Sequence, residues 1–142
     1  MNKTSYDSDF VGWTCQQANL VKNRNFEELD MTNLIEEIES MGRSQADKLE
    51  SHLKILMLHL LKIKYQPDKH TRSWDLSIKS SSHSAKKTLK KNPSLKSKLD
   101  EIISDAYYDA RLEAADQTGL DEKLFPVDCF FTIKELLEDK NE

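Results

Sequence analysis

Between Ser44 and Tyr65 the chain sets Leu49, Leu53, Leu56, Leu60 and Ile63 at spacings of three and four, with Ile55, Met57, Leu58 and Leu61 widening the stripe. A period near 3.6 puts such residues on one side of an α-helix, whereas a strand would need strict alternation. A helix apolar over so much of its circumference must be covered by others, so this segment predicts the centre of an all-helical fold.

Its neighbours carry the same period. Asp7 or Asp9 can cap a first helix bearing Phe10, Trp13, Ala18 and Leu20 and running to about Lys22. After the loop Asn23-Arg24-Asn25, Asp30 is a good N-cap, because its carboxylate can accept from the free amides of the next turn. The helix it opens sets Met31, Leu34, Ile35, Ile38 and Met41 on one face. Gly42 reads as a break or bend, with Ser44 and Asp47 able to recap the chain; continuing the helix through it would cost about 1 kcal/mol. Pro67 ends the central helix, since it cannot extend the hydrogen-bond ladder.

Ser73 reads as the cap of a fourth helix with a thin stripe of Trp74, Ile78, Ala85 and Leu89. Asn92-Pro93 starts a fifth, which carries Leu95, Leu99, Ile102, Ile103, Ala106, Tyr107, Ala110 and Ala114 and stops at Gly119. Thr132-x-x-Glu135 is a capping box for a short last helix. With three glycines and three prolines the chain has little material for hairpin turns. The expected fold is all-α: an irregular bundle of five or six helices around the central one, in a single domain spanning residues 1–142. Trp13, Leu56, Leu60, Trp74 and Tyr107 are expected to share one core, with Leu56 and Leu60 almost fully buried.

Hydrophobic residues are 37% and charged residues 32% of the chain, which suits amphipathic helices with wet outer faces. No apolar run approaches the roughly 18 residues that cross a bilayer. The start, Met1-Asn2-Lys3-Thr4-Ser5-Tyr6-Asp7, has no hydrophobic signal core. A cytoplasmic protein without membrane contact is expected. Cys15 and Cys129 stand alone, outside any CxxC spacing, and read as reduced, small core residues, with a redox pair as the alternative.

The net charge of −4 conceals a pattern. Residues 1–42 hold 3 basic and 8 acidic side chains, 43–98 hold 14 and 4, and 99–142 hold 4 and 13. A basic middle lies between acidic flanks, which bears on partners more than on the fold.

Motifs that carry chemistry are sparse. Gly12, Gly42 and Gly119 are isolated, so no phosphate-cradling loop can form, and neither a GxSxG elbow nor an HExxH helix is present. No cofactor is implied. His52 and His59 share a helical face but are about 10.5 Å apart along the axis, too far for one metal to take both easily. They read as polar positions beside the core stripe, with a buried hydrogen bond for His59 or a metal as alternatives. Glu36, Glu37 and Glu39 form the densest acid group. It reads as a solvated face, as a polar network reaching His59 or Arg72, or as catalytic carboxylates. Glu37 is expected to be at least half buried and bonded to another helix, since a charge beside an apolar stripe is costly unless paired. Lys62, Lys64, Lys69, His70 and Arg72 crowd the approach to the fourth helix and form a candidate anion or partner site, continued by Lys79, Lys86, Lys87, Lys90 and Lys91. Self-pairing, nucleic acid and an acidic protein partner all fit this strip. Nucleic-acid binding, if any, is expected to be weak and charge-driven.

Several residue groups also resemble a known family. Tyr6-Asp7-x-Asp9-Phe10-x-x-Trp13 is similar to the opening of DUF29, a family of small bacterial proteins abundant in cyanobacteria. Leu29-Asp30-x-x-Asn33-Leu34-x-Glu36-Glu37-Ile38-Glu39-Ser40-Met41-Gly42-Arg43-Ser44 resembles its most recognisable block. His59-Leu60-Leu61-Lys62, Gln66-Pro67, Ser73-Trp74, Pro93-Ser94-Leu95, Thr118-Gly119-Leu120 and Phe125-Pro126-x-x-Cys129 follow in the family's order. The resemblance implies an all-α fold and no established activity. This chain departs from it at Ser81-Ser82, where a Gln-Arg pair is common, and at Phe130, where proline is common; a site built on that pair would be weakened here.

The leading reading is a non-catalytic interaction or regulatory module, acting on a protein partner or as a homodimer. The alternative is a small hydrolase-like or nucleic-acid-directed enzyme using Glu36, Glu37, His59 and Arg72.

Overall fold

A computed structural model describes residues 5–138; most of the N-terminal segment read for a signal core, residues 1–4, lies outside them. Helices hold 81% of the described residues, and no strand occurs among them. Five α-helices follow one another: α1 (Phe10–Lys22), α2 (Met31–Tyr65), α3 (Arg72–Lys91), α4 (Leu99–Thr118) and α5 (Ile133–Leu137). Short 3-10 turns join them at Phe26–Glu28, Pro67–Lys69, Pro93–Lys98 and Glu122–Leu124.

Most local signals act where the residues put them. Asp9 caps α1, its side chain accepting from the Gly12 amide at 3.0 Å. Asp30 precedes α2 and accepts from the Asn33 amide at 3.4 Å. Gly119 ends α4 with a φ of 74°, a left-handed conformation that costs a residue with a Cβ far more. Thr132 and Glu135 form the expected capping box on α5.

Three expectations are corrected. Gly42 does not break the helix: α2 runs unbroken for 35 residues. The apolar stripes on either side of Gly42 are in phase, because Ile38 and Leu49 are 11 residues, close to three whole turns, apart. Ser73 does not cap α3; the helix opens two residues earlier, behind Thr71, which makes no side-chain cap bond. Pro93 opens a 3-10 stretch, and the α-helix itself starts at Leu99.

The chain divides into two compact units, one ending at Arg43 and one beginning at Ser44. The boundary falls within α2. The second unit holds the large core: Leu49, Leu53, Leu56, Met57, Leu58 and Leu61 from α2, with Ala85 of α3, Ile103, Ala106, Tyr107 and Ala110 of α4, Phe125, and Leu136 of α5. Leu56 is buried as expected, whereas Leu60 is only partly buried. The packed face of α2 has turned toward Met57, Leu58 and Leu61. Trp13 is buried too, but among the residues of the first unit, and Trp74 is partly buried outside the core cluster, so neither joins Leu56 and Tyr107 in this core. Of the cysteines, Cys129 packs against the core and Cys15 is exposed. Among the described residues no helix is long and apolar enough to cross a membrane.

Candidate functional site

The first unit is a helical hairpin held by polar pins. Trp13 Nε1 donates to Asp30 Oδ2 at 3.0 Å, and Asn33 Nδ2 donates to the same oxygen at 2.8 Å. The Asp30 amide donates to Gln17 Oε1 at 2.8 Å. The Tyr6 hydroxyl donates to Glu37, and that bond to a carboxylate lifts its pKa to about 12. Rings reinforce the pins: Tyr6 meets Trp13 edge-on at 4.8 Å, and Phe10 stacks on Trp13 at 5.8 Å. Charge-assisted hydrogen bonds of this kind are roughly twice as strong as neutral ones. One cap, Asp30, thus ties α1 to the start of α2.

Those pins leave one face of α2 bare. Met31 is 58% exposed, Ile35 51%, Ile38 65% and Met41 66%. Met31, Ile35, Ile38 and Gly42 fall at i, i+4, i+7 and i+11, a single stripe of three turns. Continued, the same stripe reaches Leu49 and Leu53, which are wholly buried in the second unit. Beside it Arg43 is paired with Glu36 at 3.0 Å and with Glu39 at 3.9 Å. At Gly42 an added Cβ would meet nothing within 4 Å.

The four residues of the enzyme reading fall in two units. Glu36 and Glu37 belong to the first and take Arg43 and Tyr6 as partners. Glu37 is partly buried and bonded across the hairpin, but its partner is Tyr6 rather than His59 or Arg72. The segment before α1 carries that tyrosine, and periodicity along α2 could not point to it. In the second unit His59 Nδ1 contacts the Ile55 carbonyl of its own helix at 2.9 Å, and Arg72 is exposed at the start of α3.

The basic strip is partly engaged with its own unit. Lys62 Nζ lies 4.6 Å over the Trp74 ring and donates to Gln117 at 3.0 Å. Lys64 lies 4.2 Å over Phe130. His70 stacks on Trp74 and sits 2.6 Å from Asp75. Lys69 and Arg72 are exposed beyond this cluster. A lysine over an aromatic face keeps its charge available while its stem covers apolar surface.

Arg111 escaped the sequence reading. It is buried and holds the connection from α4 to α5: Nε donates to the Phe125 carbonyl at 3.1 Å, Nη1 to the Glu122 carboxylate at 3.0 Å, and Nη2 to the Glu122 carbonyl at 3.1 Å. The Tyr107 hydroxyl donates to the Pro126 carbonyl at 2.6 Å, and burial first of all raises its pKa to about 12. The only sequence hint was a basic residue inside an alanine-rich helical face. Close to this connection, an open cleft of about 620 Å³ is lined by Asp100, Ser104, Asp128, Cys129, Thr132 and Lys134 among others. Burial pushes the Cys129 thiol above its ordinary pKa, the wrong direction for a nucleophile. Among the described residues, no three His, Cys, Asp or Glu side chains come together as a metal ion would require.

A search of curated proteins and of solved structures finds no match to the chain. The family model described as "Domain of unknown function DUF29" matches residues 5–141, nearly the whole length. The chain belongs to the DUF29 family.

Proposed function

We propose that this DUF29 chain is a non-catalytic interaction module that presents the first half of α2 to a partner protein. The observation that carries this reading is the bare stripe of Met31, Ile35, Ile38 and Met41, each more than half exposed on a well-pinned helix. Single exposed apolar residues are ordinary, but a contiguous apolar stripe is costly in water and marks surfaces that are covered in use. Its spacing is that of the anchors by which one helix docks on another or in a groove. Trp13, Asp30, Tyr6 and Glu37 hold the helix rigid from its other side, which lowers the ordering cost of binding. The enzyme alternative has less support, since Glu36 and Glu37 are engaged with Arg43 and Tyr6 and His59 with its own helix.

The reading is tested by placing a photo-crosslinking residue at Ile38, and separately at the exposed Lys48, in cells that make the protein natively. A discrete protein adduct from position 38 and none from 48 is expected. Equal labelling from both, or none from either, rejects the module.

A further inference from the structure

The bare stripe also carries information about what covers it. Gly42 completes the stripe, one turn beyond Ile38. A glycine inside a helix costs about 1 kcal/mol relative to alanine, and nothing within the fold uses the missing side chain, since a Cβ there meets no atom within 4 Å. A gap of that size among isoleucine and methionine lets a second helix backbone come unusually close. Met31 and Met41 flank the isoleucines, and methionine adapts to an irregular partner surface.

Charge selects among helical occupants. The unit that ends at Arg43 carries 4 basic and 8 acidic side chains, and beside the stripe Glu36 and Glu39 share one cation, Arg43, which leaves an acid in excess there. A second copy docking by the same face would bring two such acidic surfaces together, and like charges across an interface disfavour association. A helix with lysine or arginine beside its own apolar stripe would meet the acids and the isoleucines together.

Resting on the interaction-module reading, we infer that the occupant is an amphipathic basic helix of another protein, seated on Met31, Ile35, Ile38 and Gly42 alongside Glu36 and Glu39.

The probes are two synthetic helical peptides with the same leucine stripe at heptad a and d positions, one flanked by lysine and its twin by glutamate. Fluorescence anisotropy follows their binding to the full chain, to Ile35→Ser/Ile38→Ser, to Gly42→Leu and to Glu36→Gln/Glu39→Gln. Circular dichroism confirms that each variant keeps its helix content, as substitutions at exposed positions should. The lysine peptide is expected to bind about tenfold more tightly than its twin, and to lose about tenfold on each of the three variants, the scale of losing a central anchor. Binding of the lysine peptide that ignores the isoleucine and glycine changes would be charge attraction alone and overturns the docking site. Equal binding of both peptides, lost in Ile35→Ser/Ile38→Ser, overturns the basic partner while leaving the module intact. Sedimentation of the chain alone gives the remaining outcome: a dimer abolished by Ile35→Ser/Ile38→Ser would mean that a second copy is the occupant, against this inference.

Discussion

The two halves of α2 are the same helix with the same stripe and opposite fates. Beyond Arg43, Leu49, Leu53, Leu56, Met57 and Leu61 are buried under α3, α4 and α5. Before it, Met31, Ile35, Ile38 and Met41 stand in solvent, because α1 is pinned through Leu34's side of the helix by Trp13–Asp30 and Tyr6–Glu37. Apolar periodicity therefore tells which side of a helix wants to be covered. It does not tell whether this chain or another does the covering.

Unfolding energies break the comparison most directly. Leu53→Ala should cost roughly 2–5 kcal/mol, the range for a large-to-small change in a packed core, whereas Ile38→Ala should move stability by no more than about 0.5 kcal/mol. Urea denaturation measures both. Similar losses at the two sites would mean that the first half of the stripe is packed after all.

Next in size is the pin between α1 and α2. Asp30→Ala removes an N-cap and leaves the Trp13 indole N–H without its acceptor, so a loss of about 1–3 kcal/mol is expected. Thermal unfolding of the variant against wild type reports it, and an unchanged midpoint would show that Asp30 is dispensable to the hairpin.

Gly42→Ala sharpens the reading of the boundary in the other direction. A methyl group there clashes with nothing and relieves the helix of its most flexible residue, so stability should rise by about 0.5–1 kcal/mol. A decrease would mean that the glycine conformation, rather than space for a partner, is what the fold needs.

The smallest effect belongs to Glu50, in the covered half. Burial, and then Asp105, Asp109 and Asp47, hold its carboxyl above the ordinary glutamate value. A folded pKa above the unfolded one means that the native state binds the proton more tightly, so stability gains as the pH falls through that raised value. Glu50→Gln should therefore be slightly more stable than wild type at neutral pH, with the difference closing by about pH 4, near the unfolded glutamate pKa. A gap that persists in acid would assign the effect to packing instead of charge.

The sites followed the same division as the stripes. Glu36 and Glu37 were legible as an acid group needing partners, yet the partner of Glu37 came from a tyrosine 31 residues earlier in the chain. Arg111 was invisible as a structural clamp, because its three acceptors lie on a connecting segment that no helical period describes.

What the amino-acid sequence determined by itself was local: the caps at Asp9, Asp30 and Thr132, the stop at Gly119, the helical class, and the apolar side of each helix. Those features are decided within a turn or two, by hydrogen bonds between residues close along the chain. Tertiary structure alone decided that Trp13 belongs with Asp30 rather than with Leu56, and that Leu53 is covered while Ile38 is not. Each of these depends on contacts between residues far apart in sequence, and burial is a property of the surroundings that the residue being buried does not carry.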